Sequence, residues 1–142
     1  SAKKAGIDIE VVREPNDGYW SNVWNNDAKG WCACYWGGRP AETMMFSAAY
    51  VAESKWNDTM WKTTDSAVKF NQLVKDARKE LDESKKRDIL YECQRLIYDD
   101  GGLLCPLFNS YVSANSKKIA HGKIAANWDS DGAKCVERWW FA

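Results

Sequence analysis

Three stretches hold the side chains best suited to chemistry. The first is Cys32-Ala33-Cys34-Tyr35-Trp36-Gly37-Gly38-Arg39. Its guanidinium is a planar fork that matches a carboxylate, and Trp36 and Tyr35 beside it would form a wall. Its paired glycines allow positive φ or a close backbone approach. Cys34 as a nucleophile would need a base, and the one histidine, His121, is far along the chain. The second stretch is Asp99-Asp100. Adjacent carboxylates on a helix do not face each other, so they do not form an acid–base pair. They would also close a helix whose C-terminus disfavours acids. The third is Asp129-Ser130-Asp131-Gly132, which is similar to part of a calcium loop but lacks the third acidic ligand and the distal glutamate. Cys32 and Cys34 are spaced more closely than the usual C-x2-C zinc pair and have no second pair to complete a site. No metal or cofactor is expected. The Gly-x-Ser-x-Gly elbow, the phosphate-binding Walker loop and the Gly-x-Gly-x-x-Gly fingerprint do not occur.

The remaining composition narrows the function classes. At 142 residues the chain fits one domain. Twenty acids balance twenty bases, without the basic excess of a nucleic-acid binder. No apolar run reaches the ~18 residues of a membrane helix. Nine tryptophans suit either core packing or a cleft wall. Five cysteines are an odd number, so at least one stays outside any pairing within the chain. The sequence leaves the state of Cys32, Cys34, Cys93, Cys105 and Cys135 open.

The elements that would position these residues follow from periodicity. Ala2 to Gly6 reads as the last turn of a helix stopped by Gly6, so the chain looks truncated. Ile7, Ile9 and Val11 alternate with Asp8 and Glu10, a strand pattern. Helical spacing follows at Tyr19, Trp20, Val23 and Trp24, then a second strand over Trp31 to Trp36. Together these predict a βαβ unit with parallel strands. Pro40 suits a first helical position, and Ala41 to Tyr50 reads as a short helix with Met44, Met45 and Phe46 inward. Residues 51–64 read as loop. Ala67, Phe70, Leu73, Val74, Ala77 and Leu81 recur at helical steps, as do Ile89, Leu90, Cys93, Leu96 and Ile97. Asp82 caps the join between these two helices, with Lys85, Lys86 and Arg95 off the stripe. Gly101-Gly102 ends the second helix. Leu103 to Phe108 is apolar throughout, as a strand covered on both faces would be, with Pro106 interrupting its pairing. Ser113 to Asp131 is polar and aperiodic. The chain closes on Trp139-Trp140-Phe141, a patch that must dock onto something.

Taken as a pattern, the chain resembles the family 5 extracytoplasmic solute-binding proteins of ABC importers, the peptide- and dipeptide-binding type. The resemblance runs from Gly6 to Ala142. Its most specific part is the helix pair opened by Trp56-Asn57-Asp58-Thr59, together with Asp99-Asp100-Gly101-Gly102 and the return through Leu104-Cys105-Pro106-Leu107-Phe108. It implies an α/β fold, the C-terminal part of the second lobe of a periplasmic-binding-protein type II clamshell. Residues 1–112 would be a partial lobe-two domain, and 113–142 would return to lobe one. The implied function is capture of a peptide or related solute in the periplasm or another extracytoplasmic space, without catalysis and without cofactor, for delivery to an ABC permease. An export signal would lie upstream. Cys34, Tyr35, Trp36, Gly37, Gly38 and Arg39 would be the ligand-facing loop. Amine-binding relatives place an aspartate where this chain has Cys34, and a thiol does not supply that charge at neutral pH. Arg39 favours the opposite end, a carboxylate. Without the first lobe, the segment from Ser113 onward is expected to self-associate or be disordered. Competing readings are an aromatic-rich carbohydrate-binding module, a cysteine or carboxylate hydrolase, and a ligand-sensing relative not used in transport.

Overall fold

The computed structural model describes residues 2–26 and 30–142. It divides into two compact units, Ser1–Cys34 and Tyr35–Ala142. In the first, a single 3-10 turn spans Ala2–Ala5, and Gly6 stops it at φ 74°, as its sequence predicts. The segment after it forms no strand, and Ile7, Ile9 and Val11 are exposed. Helix α1 is one turn, Tyr19–Asn22. Trp20 packs edge-on against Tyr19 at 5.8 Å and Trp24 at 5.7 Å between ring centroids. None of the described side chains in this unit is buried.

The second unit owns the core. Helices α2 (Glu42–Ala49), α3 (Asp65–Lys79) and α4 (Glu83–Asp100) enclose it. Local chemistry sets the ends of the helix pair. The Thr64 side chain accepts from Ala67 N at 3.2 Å to start α3, with Asp65 in the first turn and Arg78 and Lys79 in the last, matching the helix dipole. Asp82 Oδ1 accepts from Ser84 N and Lys85 N at 2.9 and 3.1 Å to start α4. Gly101 caps α4 by donating to Ile97 O at 2.9 Å, and Gly102 turns away at φ 69°. The apolar stripes then meet. Ala67, Phe70 and Val74 of α3 pack with Cys93, Leu96 and Ile97 of α4, and with Phe46 and Ala49 of α2. Burial pushes the Cys93 thiol up to about 11, so it packs as a small neutral hydrophobe.

Three details depart from the periodic reading. Leu81 is exposed, because Glu80 adopts extended dihedrals (φ −73°, ψ 126°) and α3 ends before it. Met44 faces outward whereas Met45 lies half-buried on the core. Ala41, not Pro40, is the residue that leads into α2.

The acids at the end of α4 now have a physical account. Antiparallel packing brings the end of α4 to the start of α3. There Asp100 Oδ2 accepts from Trp61 Nε1 at 2.8 Å, from Thr64 Oγ1 at 2.9 Å and from Ser66 Oγ. Its charge therefore faces the favourable end of the neighbouring dipole, and those three donors hold its carboxyl below the usual range. Asp99 pairs with Arg95 Nη1 at 3.3 Å. Glu92, bonded by Arg95 and Lys69, is lowered to about 2 from the usual 4.5. Depressed carboxylates stabilise the fold above their unfolded values and lose that contribution as pH falls through the folded ones. Thermal midpoints should therefore stay level near neutrality and fall below about pH 5. Glu92→Gln should flatten the part of the acid limb between 4.5 and 2. An acid limb of unchanged steepness in that variant would show that the Glu92 cluster does not contribute. The paired side chains are well exposed, so screening keeps the effect small.

The segment expected as a doubly covered strand, Leu103 to Phe108, belongs to no sheet ladder among the described residues. Leu103 rests on the core, but Leu104, Leu107 and Phe108 are 75%, 66% and 96% exposed. The stretch Trp31 to Trp36 forms no strand either. The sheet present is a two-stranded antiparallel ribbon, β1 (Ile119–His121) with β2 (Trp139–Phe141). The terminal aromatics are thus neither free nor disordered. Ala120 sits opposite Trp140 and His121 opposite Trp139, and Ala142 N donates to Lys118 O at 2.9 Å.

The ribbon is closed by a left-handed turn over Asp129–Ala133 and a single helical turn, α5 (Cys135–Arg138). Asp131 organises it. This carboxylate, 4% exposed, accepts from Ala125 N at 2.6 Å and Trp139 Nε1 at 3.0 Å, and pairs with Arg138 at 3.0 Å. The aspartate with calcium-loop spacing is a structural staple. Among the described residues no acidic, cysteine and histidine group could hold a metal.

Candidate functional site

The six residues marked by the sequence fall in both units. Cys34 closes the first unit, and Tyr35 opens the second. Cys34 is exposed. It lies by Tyr19, whose hydroxyl donates to Ala33 O at 2.6 Å. Desolvation, then the Cys32 and Cys34 thiols, raise that phenol above its ordinary value. Tyr35 is exposed. Trp36 faces inward, half-buried against the core, and its Nε1 donates to Asp58 Oδ2 at 3.2 Å. The expected Tyr35–Trp36 wall is therefore not what Arg39 leans on.

Arg39 has a different aromatic partner. Its guanidinium carbon lies 5.4 Å from the ring centroid of Trp128, a cation–π distance. Nη1 donates to Gly37 O at 2.7 Å and to Gly38 O at 3.4 Å. The paired glycines matter for space. A Cβ on Gly37 would meet Arg39 Nη1 at 3.4 Å and the Trp128 ring at 3.5 Å, and a Cβ on Gly38 would meet the Tyr111 hydroxyl at 3.6 Å. Gly37, Gly38, Arg39, Tyr111 and Trp128 thus form one corner of the second unit. Trp128 and Tyr111 were not identified from sequence. Their only signal there was aromatic residues in a polar, aperiodic stretch.

The remaining reactive groups are occupied structurally. His121 Nδ1 sits 2.8 Å from Gly122 O, and its ring lies 5.0 Å from Trp139. The Cys105 thiol donates to Leu107 O at 3.7 Å. An open groove of about 530 Å³ separates the start of α2 from α4. Glu42 and Glu83 line it together with Lys86 and Arg87, so its charges cancel, and Arg39 is not among its lining residues.

Comparison with known proteins is negative throughout: no protein-family model, curated protein or solved structure matches this chain significantly.

Proposed function

We propose that this chain is the later part of a solute-binding subunit that captures a peptide or related small solute without altering it. The observation that carries the reading is the Arg39 corner. A cation lies within cation–π distance of an aromatic ring, beside two glycines, in the stretch that the family resemblance marks as ligand-facing. Such a corner can hold a charged group in place. It offers no nucleophile next to a base, which hydrolysis would need.

Surface character supports the same reading. Segments with exposed Ile7, Ile9, Leu104, Leu107 and Phe108 have the sequence pattern of sheet strands and make no ladder among the described residues. Apolar strand edges of this kind call for a covering partner. In a two-lobed binding protein the rest of the sheet and the other lobe provide one. The same surface would let the isolated chain self-associate. An extracytoplasmic location and delivery to an ABC permease belong to this proposal.

Isothermal titration calorimetry with trialanine and with cellotetraose separates the readings. The solute-binding account expects saturable heat from the peptide and none from the oligosaccharide. Saturation by cellotetraose alone would replace it with the carbohydrate-binding module.

A further inference from the structure

We propose that Arg39, with Tyr111, forms a carboxylate-binding fork built on Trp128, so that the solute is recognised through a carboxylate. The inference rests on the solute-binding reading above and names the chemistry of its ligand.

Orientation comes first. A free arginine samples many rotamers, but two restraints fix this one. A cation–π contact places the guanidinium carbon 5.4 Å from the Trp128 ring centroid. The bonds from Nη1 to Gly37 O and Gly38 O tie one of its nitrogens to the main chain. A fork held in advance gives up less freedom when it docks.

The free valence comes second. Nη1 faces the main chain, and the Nε–Nη2 edge has no protein acceptor among the described residues. No acid of the second unit neutralises the charge either. Arg95 and Arg138 behave differently, since Glu92 and Asp131 pair with them. The Nε–Nη2 edge presents two parallel N–H groups, the geometry that takes both oxygens of a carboxylate. A point cation in the same place would not give that match.

A further donor lies alongside. The Tyr111 hydroxyl is 3.6 Å from where a Gly38 Cβ would stand, so it sits beside the glycine next to Arg39. Tyr111 is 53% exposed and Arg39 is half-buried, so a small solute reaches both. A phenol donates to a carboxylate oxygen without adding charge. Together the groups favour one negative charge spread over two oxygens. They offer nothing to an ammonium group, in keeping with Cys34 where amine-binding relatives carry an aspartate.

A terminal peptide carboxylate and the carboxylate of a non-peptide acid share this chemistry. Three probes separate them: N-acetyl-trialanine, its C-terminal amide, and succinate. Calorimetry gives affinity, and the Nε–Hε resonance of Arg39 in a nitrogen-15 spectrum gives location. The expected result is that N-acetyl-trialanine binds at least about tenfold tighter than its amide, the gain of a charge-assisted pair, and moves the Arg39 resonance. Succinate binding in place of the peptide acid, with the same shift, would also support the fork and assign it to free acids. Arg39→Lys should weaken acid binding by about tenfold or more, because charge remains and the fork is lost. Tyr111→Phe, which leaves the Arg39 clamp intact, should weaken it severalfold. Equal affinity for acid and amide would overturn the carboxylate inference and leave solute binding standing. An Arg39 resonance that stays still while the acid binds would do the same. Failure of all three probes to bind would overturn both.

Discussion

Phe70→Ala will lower the unfolding free energy by about 4 kcal/mol, from the usual cost of removing a buried phenylalanine. Phe70 is fully buried, and its ring joins three parts of the second unit. It meets Phe46 of α2 at 5.6 Å, edge-on, and Trp61 of the connecting loop at 5.1 Å. It does so from α3, whose neighbours Ala67 and Val74 are nearly as buried. Truncation leaves a void that helices pinned at both ends close only partly, so lost transfer energy and lost contacts add. Small domains have only about 5–15 kcal/mol in total, so the variant should be near its limit of folding. Phe70→Leu keeps most of the volume and should lose less, about 1.5 kcal/mol. Urea titration followed by tryptophan fluorescence would measure both. A loss below about 1 kcal/mol for the alanine variant would mean that Phe70 is not the centre of the core.

The second large effect is expected at Asn57. This side chain is 1% exposed and polar, so burying it without partners would be costly. Its amide nitrogen donates to Tyr50 O at 3.1 Å, Val51 O at 3.3 Å and Trp61 O at 3.0 Å. Its oxygen accepts from Thr59 Oγ1 at 3.1 Å. Three carbonyls around one nitrogen fix which end of the amide is which. Asn57 thereby pins the loop between α2 and α3 and places Trp61 against Phe70. Asn57→Ala should cost about 3 kcal/mol, since buried carbonyls lose their donor. Val51 O keeps its bond from Ser54 N, so the loss falls on Tyr50 O and Trp61 O. Asn57→Asp is the sharper test. It keeps the shape and turns the donor into a charged acceptor facing three carbonyls. Burial and those carbonyls would raise its folded pKa. The variant should then be least stable above that value and recover as pH falls and the acid protonates. Stability in Asn57→Asp that simply follows the parent at every pH would contradict the assigned bonds.

The helix pair was legible in the sequence because its determinants are local. Phe70, Val74, Cys93, Leu96 and Ile97 mark their own faces, and Asp82 marks the start of the second helix, whereas Thr64, which caps the first, lies at the end of the stretch that reads as loop. Leu81 misled because a periodic position past a helix end still looks periodic, while the backbone of Glu80 had already turned. The apolar stretches at Ile7–Val11 and Leu103–Phe108 misled for a different reason. Alternation or continuous apolarity records a fitness for pairing, but a strand exists only where a partner supplies the ladder. The ribbon of Ile119–His121 with Trp139–Phe141 was illegible because each strand is three residues long and nothing local to its staple, Asp131, marks a structural role. At the candidate site, Arg39 and its glycines were visible through their chemistry. Trp128 was not, since its contact with Arg39 depends on how a distant polar segment folds back, and neither was Tyr111, whose hydroxyl lies beside Gly38.

One measurement bears most directly on the claim that the chain holds a solute and leaves it intact. The purified protein is mixed with N-acetyl-trialanine and passed over a sizing column. The protein peak is then denatured and its small-molecule content weighed by mass spectrometry. The account predicts peptide travelling with the protein in a fixed molar ratio, with its mass unchanged after prolonged incubation, and its loss from the Arg39→Ala protein. A protein peak that carries neither the peptide nor, in a parallel run, succinate, or peptide recovered as fragments, would contradict it.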